Sequence, residues 1–359
     1  MKTFHCQCGN KIFFENTICN ACGRALGYLP DRGVISALEP AENGQWLVQN
    51  SPSRYRMCVN YAQENVCNWM ISAEDPTVFC CACRLNQVIP NLSQPNHRLY
   101  WAKLEAAKRR TLYTLLQLGL PVISKAEDPE RGMAFAFLAD ATAESEFTEP
   151  MDDQGLVRTG HTHGLITINL AEADDVARTR IRERLQEGYR TLLGHFRHEV
   201  GHCYWHLLIN DDPSLHLFRQ YFGDETQDYQ QALRMYYENG PLENWGVRYI
   251  SAYATAHPWE DWAESWAHYL HLIDTLDTAQ AYGLALQGRV VASGGVPHRA
   301  SDEVDFSALL DDWHCVSVAL NALNRSMGLS DAYPFVLREP VKQKLRFVHD
   351  LIAKKRDSI

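Results

Sequence analysis

The spacing of apolar positions changes along the chain. Over 96–118, Leu99, Trp101, Leu104, Leu112, Leu115 and Leu116 supply an apolar stripe. Gly119 and Pro121 close it, and together these signals predict a helix. The segments 133–139 (MAFAFLA) and 164–170 (GLITINL) are short apolar runs that predict strands. Glu172, Asp174 and Asp175 suit the first turn of a helix running to about Gln186, where carboxylates meet the positive end of the helix dipole. A second helix, from 189 to about 209, is expected to end at the turn-forming Asn210-Asp211-Asp212-Pro213. Further helices are predicted at 226–238, 259–276, 304–327 and 341–355. Before residue 90 the pattern differs: β-prone pieces at 11–14 and 46–48 lie among Gly, Pro and Asn turns. The expected class is α+β. A small, loop-rich module over 1–95 precedes a mainly helical domain over 96–359, whose small sheet comes from 133–170.

At 359 residues the chain is long enough for two or three domains of roughly 150 residues each. With 46% hydrophobic and 22% charged residues it has the balance of a globular protein. No apolar run approaches the ~18 residues of a membrane span. The start, MKTFHCQCGN, lacks the apolar stretch of a signal peptide, so a soluble, cytoplasmic protein is expected. Lys plus Arg 34 against Asp plus Glu 44 gives −10, which disfavours nucleic acid as a partner.

Cysteine usage sharpens the division. Nine of the eleven cysteines precede residue 84, and in a reducing compartment clustered cysteines read as metal ligands before disulfides. Cys6-x-Cys8 and Cys19-x-x-Cys22 form two paired knuckles, each followed by a glycine, Gly9 and Gly23. Two such turns deliver four thiolates to one tetrahedral Zn²⁺, a closed shell with a structural role. Cys58, Cys67, Cys80 and Cys83 form a looser second set, with Cys80 and Cys83 preferred to Cys81 as ligands.

The chemistry concentrates at 195–206, HFRHEVGHCYWH. His198 and His202 are four apart, so on a helix they stand one turn above each other and can share a metal. Glu199 lies between them, placed to take a proton from a water activated there. This H-E-x-x-H pattern is that of zinc metallopeptidases. Trp205 and Leu208 occupy the positions where a three-histidine motif would need Gly and His. His195 and His206 therefore read as supporting or packing residues, and Cys203 as core. His161 and His163 read as turn or core histidines. The third ligand should be a carboxylate from 257–268, HPWEDWAESWAH, where Pro258 suits a first helical turn. Glu260 and Glu264 share one face. Glu260 is favoured as ligand, with Glu264 orienting a ligand histidine. Asp261 is a rival, and Glu264 as the direct ligand is a further possibility.

The sequence resembles bacterial zinc-binding metallopeptidases that carry an N-terminal zinc-ribbon domain. The likeness runs through CxC…CxxCG at the start, CNW at 67–69, CxxCRLN at 80–86 and AKRRTLY at 107–113. It continues through TGHTHGLITINLAEADD at 159–175, YRTLLGHFRHEVGHCYW at 189–205, FGDETQDY at 222–229 and SAYATAHPWEDWAESWAHYLH at 251–271. More broadly 260–264, EDWAE, is similar to the E-x-x-A-[D/E] of gluzincins, which implies a zincin-like domain after residue 95. The usual Asp at its last position is Glu264 here. The resemblance implies a peptide or protein substrate and zinc, one catalytic ion beside one or two structural ones. Tyr249, Tyr253 and His257 are candidate oxyanion donors. The strand at 164–169 could pair with an extended substrate as a sheet edge, or simply pack. A competing expectation is a catalytically silent scaffold that binds a protein or nucleic-acid partner through its ribbons. The run Lys108-Arg109-Arg110 could assist it, although a solvated helix face explains that run as well. Residues 280–359 read as core and cover, and the sequence gives no oligomeric state.

Overall fold

In the computed structural model, residues 2–48, 51–140, 157, 159–179, 191–286, 289–290 and 305–356 are described. They fall in two compact units. One holds 2–116 with 121–193, the other 117–120 with 194–359.

The first unit contains more sheet than the periodicity suggests. Strands β1 (Phe4–His5) and β2 (Lys11–Ile12) form a two-stranded hairpin. A five-stranded antiparallel meander follows, made of β3 (Ala25–Leu29), β4 (Val34–Pro40), β5 (Trp46–Val48), β6 (Arg54–Met57) and β7 (Met70–Ser72). The module expected to be loop-rich with short β-prone pieces thus holds a full sheet, and the piece expected at 46–48 is its strand β5. In β3 four consecutive positions are buried, so no in-out alternation marks the strand in the sequence. Phe14, Tyr28, Trp69 and Tyr113 fill the space beneath it, with Tyr28–Trp69 centroids at 4.6 Å and Phe14–Tyr113 at 5.2 Å.

A second sheet has the order β10 (Gly160–Thr162), β11 (Leu165–Asn169), β9 (Ala134–Leu138) and β8 (Asn86–Val88). Strand β11 pairs parallel with β9 on one side and antiparallel with β10 on the other. The 164–169 segment is therefore interior, so of its two readings plain sheet packing holds and a free edge does not. His161 Nε2 accepts from Gly164 N at 2.9 Å and closes the hairpin turn. Asp174 Oδ1 accepts from Val176 N and Ala177 N, which caps the helical residues 175–179. The rest of the helix expected to reach Gln186 lies outside the described residues.

Helix α1 (His97–Gln117) carries the basic run, and here too the structure corrects the reading. Lys108 and Arg109 are buried, not solvated. Lys108 Nζ donates to Glu105 Oε1 at 2.8 Å, and Arg109 NH1 donates to Val66 O at 2.6 Å. A buried cation needs such partners. Folded inward, these two residues offer nothing to a phosphate backbone.

The second unit is helical: α2 (Leu192–Leu208), α3 (Asp212–Phe222), α4 (Tyr229–Asn239), α5 (Pro258–Ala281), α6 (Phe306–Ser326) and α7 (Glu339–Arg356). Trp262, Trp266, Leu270, Ile273 and Leu276 are fully buried along α5, which packs against α3, α6 and α7. Helix α3 has no counterpart among the predicted elements. The Asn-Asp-Asp-Pro turn that was expected to end a helix also begins one, since Asp211 caps α3 by accepting from Ser214 N at 2.8 Å. Among the described residues no helix is long and apolar enough to cross a membrane.

Helices α2 and α5 meet closely at Gly201. A Cβ there would stand 2.9 Å from Trp266 Cδ1 and 3.2 Å from Ala263 Cα, while Gly201 O accepts from Trp262 Nε1 at 2.8 Å. Gly201→Ala is expected to cost about 1–3 kcal/mol, because neither the indole nor the backbone can yield cheaply. A thermal midpoint no lower than that of wild type would contradict this.

Candidate metal centre

Helix α2 brings His198 and His202 onto one face, with ring centroids 5.1 Å apart. The first turn of α5 supplies Glu260. Its start is fixed by His257, whose Nδ1 accepts from Trp259 N, and by Pro258 in the first turn. Glu260 Oε2 lies 3.0 Å from His198 Nε2, and Oε1 lies 3.6 Å from His202 Nε2. One donor atom from each of the three residues falls within 4.8 Å of the others. Ligands about 2.0–2.1 Å from a tetrahedral zinc would stand ~3.3 Å apart, so the donor set fits such an ion.

Glu264, one turn further along α5, places Oε1 2.7 Å from His198 Nδ1. His198 thus sits between two carboxylates, one at each ring nitrogen. Burial works against its charged form, but the hydrogen bonds and charges of Glu260 and Glu264 prevail and raise its pKa well above the usual imidazole value. Burial would likewise raise Glu264, yet its bond to His198 and the charge there bring it down to about 2. His202 is shifted down, chiefly by burial. Glu199 is buried as well. Desolvation alone would raise its carboxyl, but the hydrogen bond from His195 and the nearby imidazoles bring it down to about 2. His195 Nε2 lies 3.2 Å from Glu199 Oε1, so the carboxylate is ionised and held from one side.

The remaining sequence candidates separate clearly. Asp261, next to Glu260, turns to Lys344 on α7, with Oδ2 2.5 Å from Nζ. Even with that partner, burial pushes its carboxyl up to about 7. Tyr249 lays its ring over the same Lys344 Nζ at 4.3 Å. Both ring nitrogens of His257 are engaged, Nδ1 by Trp259 N at 3.1 Å and Nε2 by Gln227 O at 3.3 Å. Tyr253 faces the centre, its ring 5.9 Å from that of His198. His206 is exposed, with its ring 5.0 Å from that of Trp205, and Cys203 is buried. One residue at the centre was not among the sequence candidates. Tyr229 Oη donates to Glu260 Oε1 at 2.6 Å. Its only sequence signal was its place at the end of the FGDETQDY block.

In the first unit each cysteine set is assembled. Cys6, Cys8, Cys19 and Cys22 bring their sulfurs within 4.8 Å of one another, and so do Cys58, Cys67, Cys80 and Cys83. Gly9 and Gly23 take φ values of +84° and +73°, which lets the backbone turn back behind each pair. Four thiolates at about 2.3 Å from a tetrahedral zinc stand ~3.8 Å apart. The Cys6–Cys22, Cys8–Cys19 and Cys67–Cys80 separations are 3.6, 3.7 and 3.7 Å. Cys81 stays outside the second set.

Residues 97–351 match the profile of the family described as "Putative zinc-binding metallo-peptidase", and residues 3–94 match that of a zinc-ribbon domain. The chain is 39% identical over 354 residues to uncharacterized proteins of Mycobacterium tuberculosis and Mycobacterium bovis. The alignment covers 98% of this chain and 95% of each relative. No solved structure matches.

Proposed function

The chain belongs to this zinc-binding metallo-peptidase family, with a zinc ribbon at its N-terminus, and from that premise we propose that it hydrolyses peptide bonds in a peptide or protein substrate. The observation that carries the reading is the convergence of His198, His202 and Glu260 on one point, with the ionised Glu199 on the same helix. In this reading those three residues hold a catalytic zinc and the two cysteine sets hold structural zincs, with residues 1–95 as the ribbon module and 96–359 as the zincin-like, gluzincin-type peptidase domain. Bound zinc supplies Lewis acidity, which polarises a carbonyl and makes a water acidic near neutral pH. Glu199 takes the proton of the attacking water and delivers it to the leaving amine nitrogen. His195 keeps the carboxylate aimed while it does so. Glu264 holds His198 at Nδ1, which fixes the ring so that Nε2 faces Glu260. Tyr253 is the candidate donor to the oxyanion, since His257 spends both nitrogens on the backbone. Cytoplasmic location is part of the same proposal.

The test is a peptide-library screen on zinc-loaded protein read by mass spectrometry. Cleavage that a chelator abolishes and zinc restores is expected. No cleavage by fully loaded protein would move the scaffold reading ahead.

A further inference from the structure

The block 222–229 takes no part in the steps above, yet it is built around one side chain. Gly223 ends α3 at φ +105°, a conformation open to glycine. Arg219 Nε donates to Glu225 Oε2 at 2.9 Å and ties the loop to the helix it has just left. Asp224 Oδ1 accepts from Thr226 N, and Asp228 Oδ1 caps α4 by accepting from Gln231 N, each at 2.9 Å. Gln227 O meets His257 Nε2. These residues build the turn. Tyr229, the first residue of α4, points into the centre. Its ring stands edge-on to His257 at 5.1 Å and tilted against Trp259 at 5.9 Å, and its hydroxyl reaches Glu260.

Resting on the peptidase reading, we propose that Tyr229 is a positioning residue for the metal-binding carboxylate of Glu260. Its phenol holds Oε1 at 2.6 Å, which leaves Oε2 as the oxygen presented beside His198 Nε2 at 3.0 Å. A carboxylate with both oxygens free can swing between the two histidines, whereas one pinned at Oε1 meets the ion in a single preformed orientation. A phenol hydroxyl carries the proton that a carboxylate oxygen lacks, so Tyr229 is the donor of this bond. A ring that only packed against His257 and Trp259 would need no hydroxyl.

The test is Tyr229→Phe in the full-length protein, which keeps the ring. Zinc is titrated against a competing chelator, and cobalt is used as a spectroscopic probe of the same site. Zinc affinity at His198, His202 and Glu260 is expected to fall at least about tenfold, with the cysteine sites unchanged and the cobalt bands shifted. The thermal stabilisation added by this zinc, measured from the form loaded only at the cysteine sites, should shrink in step. That increment separates lost positioning from a general loss of stability. Affinity within twofold of wild type with a superimposable cobalt spectrum would overturn the proposal. Unchanged affinity with slowed hydrolysis would also overturn it, since Tyr229 would then act on the substrate. If wild type and variant both stop at the cysteine sites, the peptidase reading fails, and the role of Tyr229 with it.

Discussion

Glu199→Gln should slow peptide hydrolysis by roughly 10²–10⁴-fold while leaving metal uptake intact, the scale expected for loss of a general base. Glutamine has nearly the volume of glutamate, and its amide oxygen can still accept from His195. What it cannot do is take a proton from water. Despite burial, the native carboxyl is held low by the His195 hydrogen bond and the nearby imidazoles, whereas the glutamine amide has no basic group that raising the pH could uncover. The variant leaves His198, His202 and Glu260 untouched, so zinc content should equal that of wild type. The measurement is kcat on the best library peptide beside elemental analysis of the same sample. Undiminished turnover would remove Glu199 from the mechanism.

Cys67→Ser should be among the costliest single changes in the first unit. Cys58, Cys67, Cys80 and Cys83 are all buried, and Cys67 Sγ accepts from Trp69 N at 3.3 Å. Trp69 in turn packs on Tyr28 at the centre of the aromatic core. A structural zinc contributes on the order of 10–16 kcal/mol to the fold it closes. That is comparable to the whole stability of a domain, about 5–15 kcal/mol. Loss of one zinc is therefore expected to unfold the ribbon module. Limited proteolysis checks this: rapid cleavage within residues 2–95 is predicted for the variant under conditions that spare wild type. Full retention of zinc and of protease resistance would mean that Cys67 is no more than a small buried hydrophobe.

How legible these features were depends on how local their causes are. Helix α2 was readable because His198, Glu199 and His202 carry both a helical period and a chemistry within five residues. Helix α5 announced its start through Pro258. Paired cysteines are likewise local. The buried state of Lys108 and Arg109 was not readable, because their partners Asn86 and Val66 lie 22 and 43 positions away, outside the helix. Of the meander over 25–72 only the piece at 46–48 was expected, for a related reason. Strands of three to seven residues, some buried on both faces, give no sustained period-two signal. Tyr229 shows the same limit at the centre itself, since a tyrosine 31 positions before its carboxylate partner has no spacing rule to reveal it.

Zinc content by elemental analysis on wild type and on His198→Ala decides whether the His198–His202 helix holds a metal. Three donor clusters stand in the described residues, so the account predicts three zincs per chain in wild type and two in the variant. Two zincs in both proteins would contradict it, for then the helix that carries His198 and His202 holds no metal.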